Sequence, residues 1–114
     1  MKYDLEARTK KFSKEIISFL IKIKKHKINE NIISQLVRSA TSVGANYCEA
    51  NGAISKKDFK NKIHICRKEI QETEYWLEML SESNPEEKEK LRKFWKEAHE
   101  LTLIFNKIAS SLKN

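Results

Sequence analysis

An all-α fold, an antiparallel up-down-up-down four-helix bundle, follows from three features of the sequence. Only two Gly and one Pro occur among 114 residues, 34% of which are charged, a composition that favours long helices over strands. Apolar residues recur at spacings of three, four and seven along nearly the whole chain, the signature of amphipathic helices. Boundary signals then divide the chain into four long segments joined by short connections, and such neighbours pack antiparallel. One domain over residues 1–114 is expected, large enough to bury roughly two thirds of its unfolded surface.

The first helix is predicted from Asp4 to about His26, with Leu5, Phe12, Ile16, Phe19, Leu20 and Ile23 as its apolar stripe. Its outer face carries Arg8, Lys10, Lys11, Lys14, Lys22 and Lys25. Lys22, Lys24, Lys25 and Lys27 crowd its predicted C-terminal turns, where cations complement the helix dipole.

Asn29 is the expected N-cap of a second helix running to about Asn51. On a helical wheel Ile33, Leu36, Ala40, Val43 and Tyr47 share one face. Arg38, Ser42, Ala45 and Glu49 fall opposite, flanked by Ser39 and Asn46. The small residues of this back face would let another backbone come close. Gly44 costs about 1 kcal/mol relative to Ala in mid-helix, which a close helix–helix contact would explain. Asn51-Gly52-Ala53 supplies the stop, with Gly52 suited to a left-handed cap.

Ser55 and Asp58 form a capping-box pattern that opens the third helix. Phe59, Ile63, Cys66, Ile70, Thr73 and Leu77 make its core stripe, flanked by Arg67, Glu74 and Glu78. Ile65, Glu69, Glu72 and Trp76 mark a second, partly apolar face. The sequence Ser83-Asn84-Pro85-Glu86-Glu87 is the strongest boundary: Asn84 can cap, Pro85 suits a first helical position, and the glutamates meet the positive helix end. Leu91, Phe94, Trp95, Ala98, Leu101, Phe105, Ile108 and Leu112 then define the fourth helix, which ends in a polar Ser110-Ser111 and Lys113-Asn114 tail.

The formal charge is +7 and unevenly spread: residues 1–53 hold ten Lys and Arg against five Asp and Glu, residues 54–114 thirteen against eleven. A basic surface raises the odds of an anionic partner. No apolar run approaches the ~18 residues of a membrane span, and the charged first twenty residues do not read as a signal peptide. A cytoplasmic protein without membrane association is expected.

No catalytic residue, cofactor motif or metal site is predicted. Bundle di-iron sites need Glu-x-x-His pairs, yet no Glu stands three residues before His26, His64 or His99. His64 and Cys66 are two residues apart, so on a helix they diverge by about 200°. In a hairpin of the second and third helices Cys48 and Cys66 lie some ~10 Å apart along the axis, beyond disulfide reach. Cys66 is expected in the core and Cys48 on a helix flank.

Three stretches carry a resemblance: Gln35 through Ala50, then Ser55-Lys56-Lys57-Asp58-Phe59, then Arg67-Lys68-Glu69 through Glu74-Tyr75-Trp76-Leu77-Glu78. Together they resemble the four helix bundle protein family encoded by intervening sequences in bacterial 23S ribosomal RNA genes, which an older label calls a ribosomal protein. Nearly the whole chain is covered. It departs from the pattern at Glu49-Ala50, where many members have Glu-Gly, and at Cys66-Arg67, where many have small residues. The resemblance implies a bundle that assembles as a homopentamer with a basic surface or channel. It also implies kinship with pentameric accessory proteins of diversity-generating retroelements, which bind nucleic acid and a reverse transcriptase.

The family motif keeps Arg38, Ser42, Asn46 and Glu49 of the back face. Three roles are open to them: an intrasubunit polar network, in which they pair with one another or with Arg67 and Glu74, a subunit interface, or a ligand site. The leading expectation for the chain is a non-enzymatic homo-oligomer binding RNA or DNA through phosphate contacts from Lys10, Lys11, Lys14, Lys22, Lys24, Lys25 and Lys27. The alternative is a protein-interaction scaffold using Ile65, Trp76, Met79 and the small-residue stripe, with the positive charge serving solubility.

Overall fold

The computed structural model describes residues 4–112, which form α1 (Leu5–Lys22), α2 (Asn29–Asn51), α3 (Lys56–Ser83) and α4 (Lys88–Ser111), the last entered through a 3₁₀ turn at Pro85–Glu87. The helices are antiparallel in sequence order, as the short connections predict. α3 spans about 42 Å at 1.5 Å per residue, nearly the 45 Å length of the molecule. α2 packs most extensively on α3 and α3 on α4, whereas α1 meets α4 only over a short stretch. One edge of the bundle is therefore looser than the other three.

The predicted stripes close the core. Phe12, Ile16, Leu36, Ala40, Val43, Ile63, Cys66, Ile70, Leu77, Leu91, Ala98, Leu101 and Phe105 are all buried. Tyr47 is half-buried and meets the ring of Phe105 edge-on at 5.8 Å. Burial pushes the Tyr47 hydroxyl above its ordinary pKa, against a lowering hydrogen bond with Asn51. Ser39, expected at the flank of the back face, is instead fully buried; its Oγ accepts from Thr73 Oγ1 at 2.9 Å across α2 and α3. Neither cysteine is bridged: Cys48 is exposed and Cys66 is buried.

The helix ends correct four expectations. α1 stops at Lys22, because the backbone turns extended at Ile23 (φ −74°, ψ 144°). The apolar period runs on because Ile23 still reaches the core, so sequence spacing overshoots the helix. Consequently Lys24, Lys25 and Lys27 lie in the connection and not on a helical turn. Lys25 Nζ nevertheless donates to Leu20 O at 3.3 Å, satisfying one of the carbonyls a helix end leaves open.

Asn29 is the first residue of α2, not its cap, and its side chain is fully buried. Its Oδ1 accepts from the His26 amide at 2.8 Å, and its Nδ2 donates to Lys24 O and to Asn84 Oδ1, both at 2.9 Å. Asn84 likewise makes no side-chain cap at the start of the 3₁₀ turn, where it is buried; its backbone N–H instead closes α3 by donating to Leu80 O at 2.8 Å. The α1–α2 and α3–α4 connections are thereby stitched together at one end of the bundle. Gly52 closes α2 with φ −98°, so no left-handed conformation is used there. Ser55 does cap α3, its Oγ accepting from the Asp58 amide at 3.0 Å.

Candidate nucleic-acid interface

The loose edge between α1 and α4 opens into a groove of about 1090 Å³. Its floor includes Phe12 and Ile23, both buried, and the half-buried Phe19 and Phe94. The last two rings pack against each other, tilted by 55° with centroids 5.3 Å apart. Lys10, Lys11, Lys14 and Lys22 stand on the α1 bank, and Lys90 and Lys93 on the α4 bank. The predicted α1 lysines are thus brought together with two cations that periodicity passed over. The signal was present in Lys90, Lys93 and Phe94, but Phe94 reads only as core until α1 is laid beside it.

Charge along the groove is sorted by what is already engaged. Five carboxylates also line it: Asp4, Glu6, Glu15, Glu87 and Glu97. Asp4 caps α1 by accepting from the Ala7 amide, and Glu6 accepts from Asn51 Nδ2. Glu97 takes a bidentate bond from Arg8, Nε and Nη2 each at 2.6 Å, while Arg8 also reaches Glu100 at 3.0 Å. Arg8, read from sequence as an outer-face cation, is therefore a clasp between α1 and α4. Among the described residues, the six groove lysines and Lys24 and Lys27 make no side-chain hydrogen bond or ion pair. Six unpaired lysines thus line the groove beside four carboxylates that no cation neutralises, Glu97 being the one held in an ion pair.

The back face of α2 lies along α3, on the edge of the bundle opposite the groove. Arg38 donates to Gln35 Oε1 at 2.9 Å, to Glu69 Oε1 at 3.0 Å, and to Glu72 Oε2. Glu72 in turn accepts from Trp76 Nε1 at 3.0 Å. Asn46 Nδ2 donates back to Ser42, to its carbonyl at 2.9 Å and its hydroxyl at 3.0 Å. Glu49 pairs with Lys62 at 2.6 Å, and this bond raises the lysine's pKa. Every one of the four motif residues thus has an intrasubunit partner. Ser42 and Asn46 pair with each other, one of the two expected arrangements, but none of the four pairs with Arg67 or Glu74, which look toward α4: Arg67 donates to Asn106 Oδ1 at 2.7 Å, and Glu74 accepts from Thr102 Oγ1. Arg38 and Glu49 still reach solvent, with 45% and 60% of their side chains exposed.

Among the described residues no cluster of three His, Cys, Asp or Glu could hold a metal ion. No helix there is long and apolar enough to cross a membrane.

Four antiparallel helices, a lysine-flanked groove on one edge and a salt-bridged polar seam on the other define a small all-helical bundle protein. The family model described as 23S rRNA-intervening sequence protein matches residues 2–107, and the chain belongs to that family. It is also similar to a crystal structure of a protein of unknown function from the S23 ribosomal protein family of Bacteroides thetaiotaomicron. The two are 31% identical, covering 93% of this chain and 98% of that one, with a TM-score of 0.80. No curated protein matches the chain.

Proposed function

We propose that this chain is a non-enzymatic, cytoplasmic, homo-oligomeric bundle that binds RNA or DNA through the lysines of its α1–α4 edge. The observation that carries this reading is the set of six unpaired lysines facing one another across a single groove. Phosphate oxygens are the ligands such cations suit, because each contact releases condensed counterions from the nucleic acid. Lys24 and Lys27, exposed in the connection beside Lys22, extend the same surface. Lys25 contributes less, since its ammonium is engaged by Leu20 O. The α2–α3 edge, with Arg38, Ser42, Asn46 and Glu49, is on the far side, so subunit contacts made by that edge do not cover the groove; a ring also needs a second, different surface on each subunit. The test is a charge reversal, Lys14→Glu, Lys22→Glu, Lys90→Glu and Lys93→Glu combined. Nucleic-acid affinity is expected to fall by about a hundredfold or more at low salt; a folded variant with undiminished affinity overturns the reading.

A second reading, a scaffold for another protein, is favoured by one observation. Ile65 is 37% exposed on α3, the helix that carries the half-buried Trp76 and Met79. Capture of a defined protein partner, insensitive to nuclease and to salt, would support it.

A further inference from the structure

We infer that the α1–α4 groove takes a single-stranded segment of nucleic acid, phosphates along the lysine banks and bases against the Phe19–Phe94 pair. The inference rests on the nucleic-acid reading above and adds the form of the ligand and the place where its bases sit.

Two independent features meet in this groove. The first is its charge: Lys10, Lys11, Lys14 and Lys22 on one bank and Lys90 and Lys93 on the other are unpaired, and they outnumber the four lining carboxylates that no cation neutralises, Asp4, Glu6, Glu15 and Glu87. The second is its floor. Phe19 and Phe94 are only partly buried although each packs on the core, so aromatic surface remains open between two rows of cations. Grooves that hold single strands without reading sequence combine these two elements, a cationic track for the backbone and aromatic rings on which bases stack. α1 alone runs about 27 Å beside the groove, room for several nucleotides.

A duplex cannot use the floor. Its bases are stacked and paired inside, so it could only rest its phosphates on the lysine rims. An acidic polypeptide would satisfy the lysines equally but has no planar π-surface to place on the two phenyl rings. The arrangement therefore selects a strand with unpaired bases.

The experiment is fluorescence anisotropy of the full chain with short labelled single strands, oligouridine and oligothymidine, and with a duplex of equal length. Variants are Phe19→Leu and Phe94→Leu, which keep apolar volume but remove the π-face, and thermal melting confirms that each is folded. Single-strand affinity is expected to exceed duplex affinity, and each leucine variant to lose about fivefold or more for the single strand with duplex binding unchanged. Similar loss with uridine and thymidine strands fits recognition of phosphate and base faces; loss with only one means that the sugar or the thymine methyl is read as well, which contradicts the proposed basis. Folded leucine variants with unchanged single-strand affinity, beside intact lysine-dependent duplex binding, overturn this inference and leave the broader reading standing. Failure of the chain to bind any of the three overturns both. Displacement of the strand by polyglutamate as readily as by unlabelled oligouridine would assign the groove to an acidic polypeptide.

Discussion

Arg38 Nη1 lies 3.0 Å from Glu69 Oε1, and Glu69 is nearly buried between α2 and α3. A carboxylate in that position needs its counter-charge, because a lone buried charge is costly. Arg38→Ala is expected to destabilise the fold by about 1–3 kcal/mol, less than for a fully buried pair since Arg38 is half exposed. Urea denaturation measures it. Adding Glu69→Gln to Arg38→Ala should recover part of the loss; equal losses with and without it would mean that the pair carries little energy.

Gly44 sits in mid-helix against the backbone of α1. A Cβ placed there would lie 3.5 Å from Thr9 Oγ1 and 3.6 Å from Thr9 C and O, ordinary van der Waals distances. Gly44→Ala should therefore raise stability by about 0.5–1 kcal/mol through helix propensity, seen as a Tm higher by a few degrees. Gly44→Leu has no such room and should destabilise. A lower Tm for the alanine variant would show that the α1–α2 approach tolerates no Cβ.

Asn29 joins three partners in a buried site; its removal takes the acceptor from the His26 amide and leaves Asn84 Oδ1 with Ser83 Oγ and Lys24 O with the longer Asn84 Nδ2 bond at 3.4 Å. Asn29→Ala is expected to cost about 2–3 kcal/mol. Because Asn29 and Asn84 bond directly, the double alanine variant should cost less than the sum of the singles, which a double-mutant cycle in urea reads.

The two thiols should separate cleanly. Cys48 is exposed, whereas Cys66 is in the core, its Sγ donating to Val43 O at 3.5 Å. Burial pushes the Cys66 thiol from 9.0 up to about 12. A thiol reagent should label one cysteine in the native protein and the second only on unfolding. The pH dependence has a definite sign: the folded pKa is raised, so the stabilisation is complete below pH 9 and is lost as pH rises toward about 12. Cys66→Ala should flatten that alkaline decline relative to wild type.

Much of this fold is legible in the sequence because a core stripe is a local, periodic property. Ile63, Cys66, Ile70, Thr73 and Leu77 are spaced for one helix face, and all five are buried. What stayed hidden depends on residues far apart in the chain. Asn29 has the residue type and position of a cap, and only Asn84 across the bundle end explains its burial. Ile23 keeps the helical period while its backbone has already left the helix. The candidate site is split in the same way. The α1 lysines are visible as an outer face, but Arg8 belongs to them by pattern and to Glu97 by geometry. Lys90 and Lys93 become part of the site only when α4 returns beside α1. Arg38 is recognisable as a polar position on a helix back, whereas its choice of Glu69 and Glu72 over Glu74 depends on the rotation of α3.

The most direct measurement is the salt dependence of binding between the full chain and a labelled RNA strand, at about 50 and about 200 mM salt. With roughly five phosphate contacts the affinity should fall by about two orders of magnitude over that range, at a slope of about −0.7 per contact for a single strand. Saturable binding with that steep decline is the predicted result. Affinity that is flat across the range, or no binding at the lower salt, would contradict a phosphate-binding role for the α1–α4 lysines.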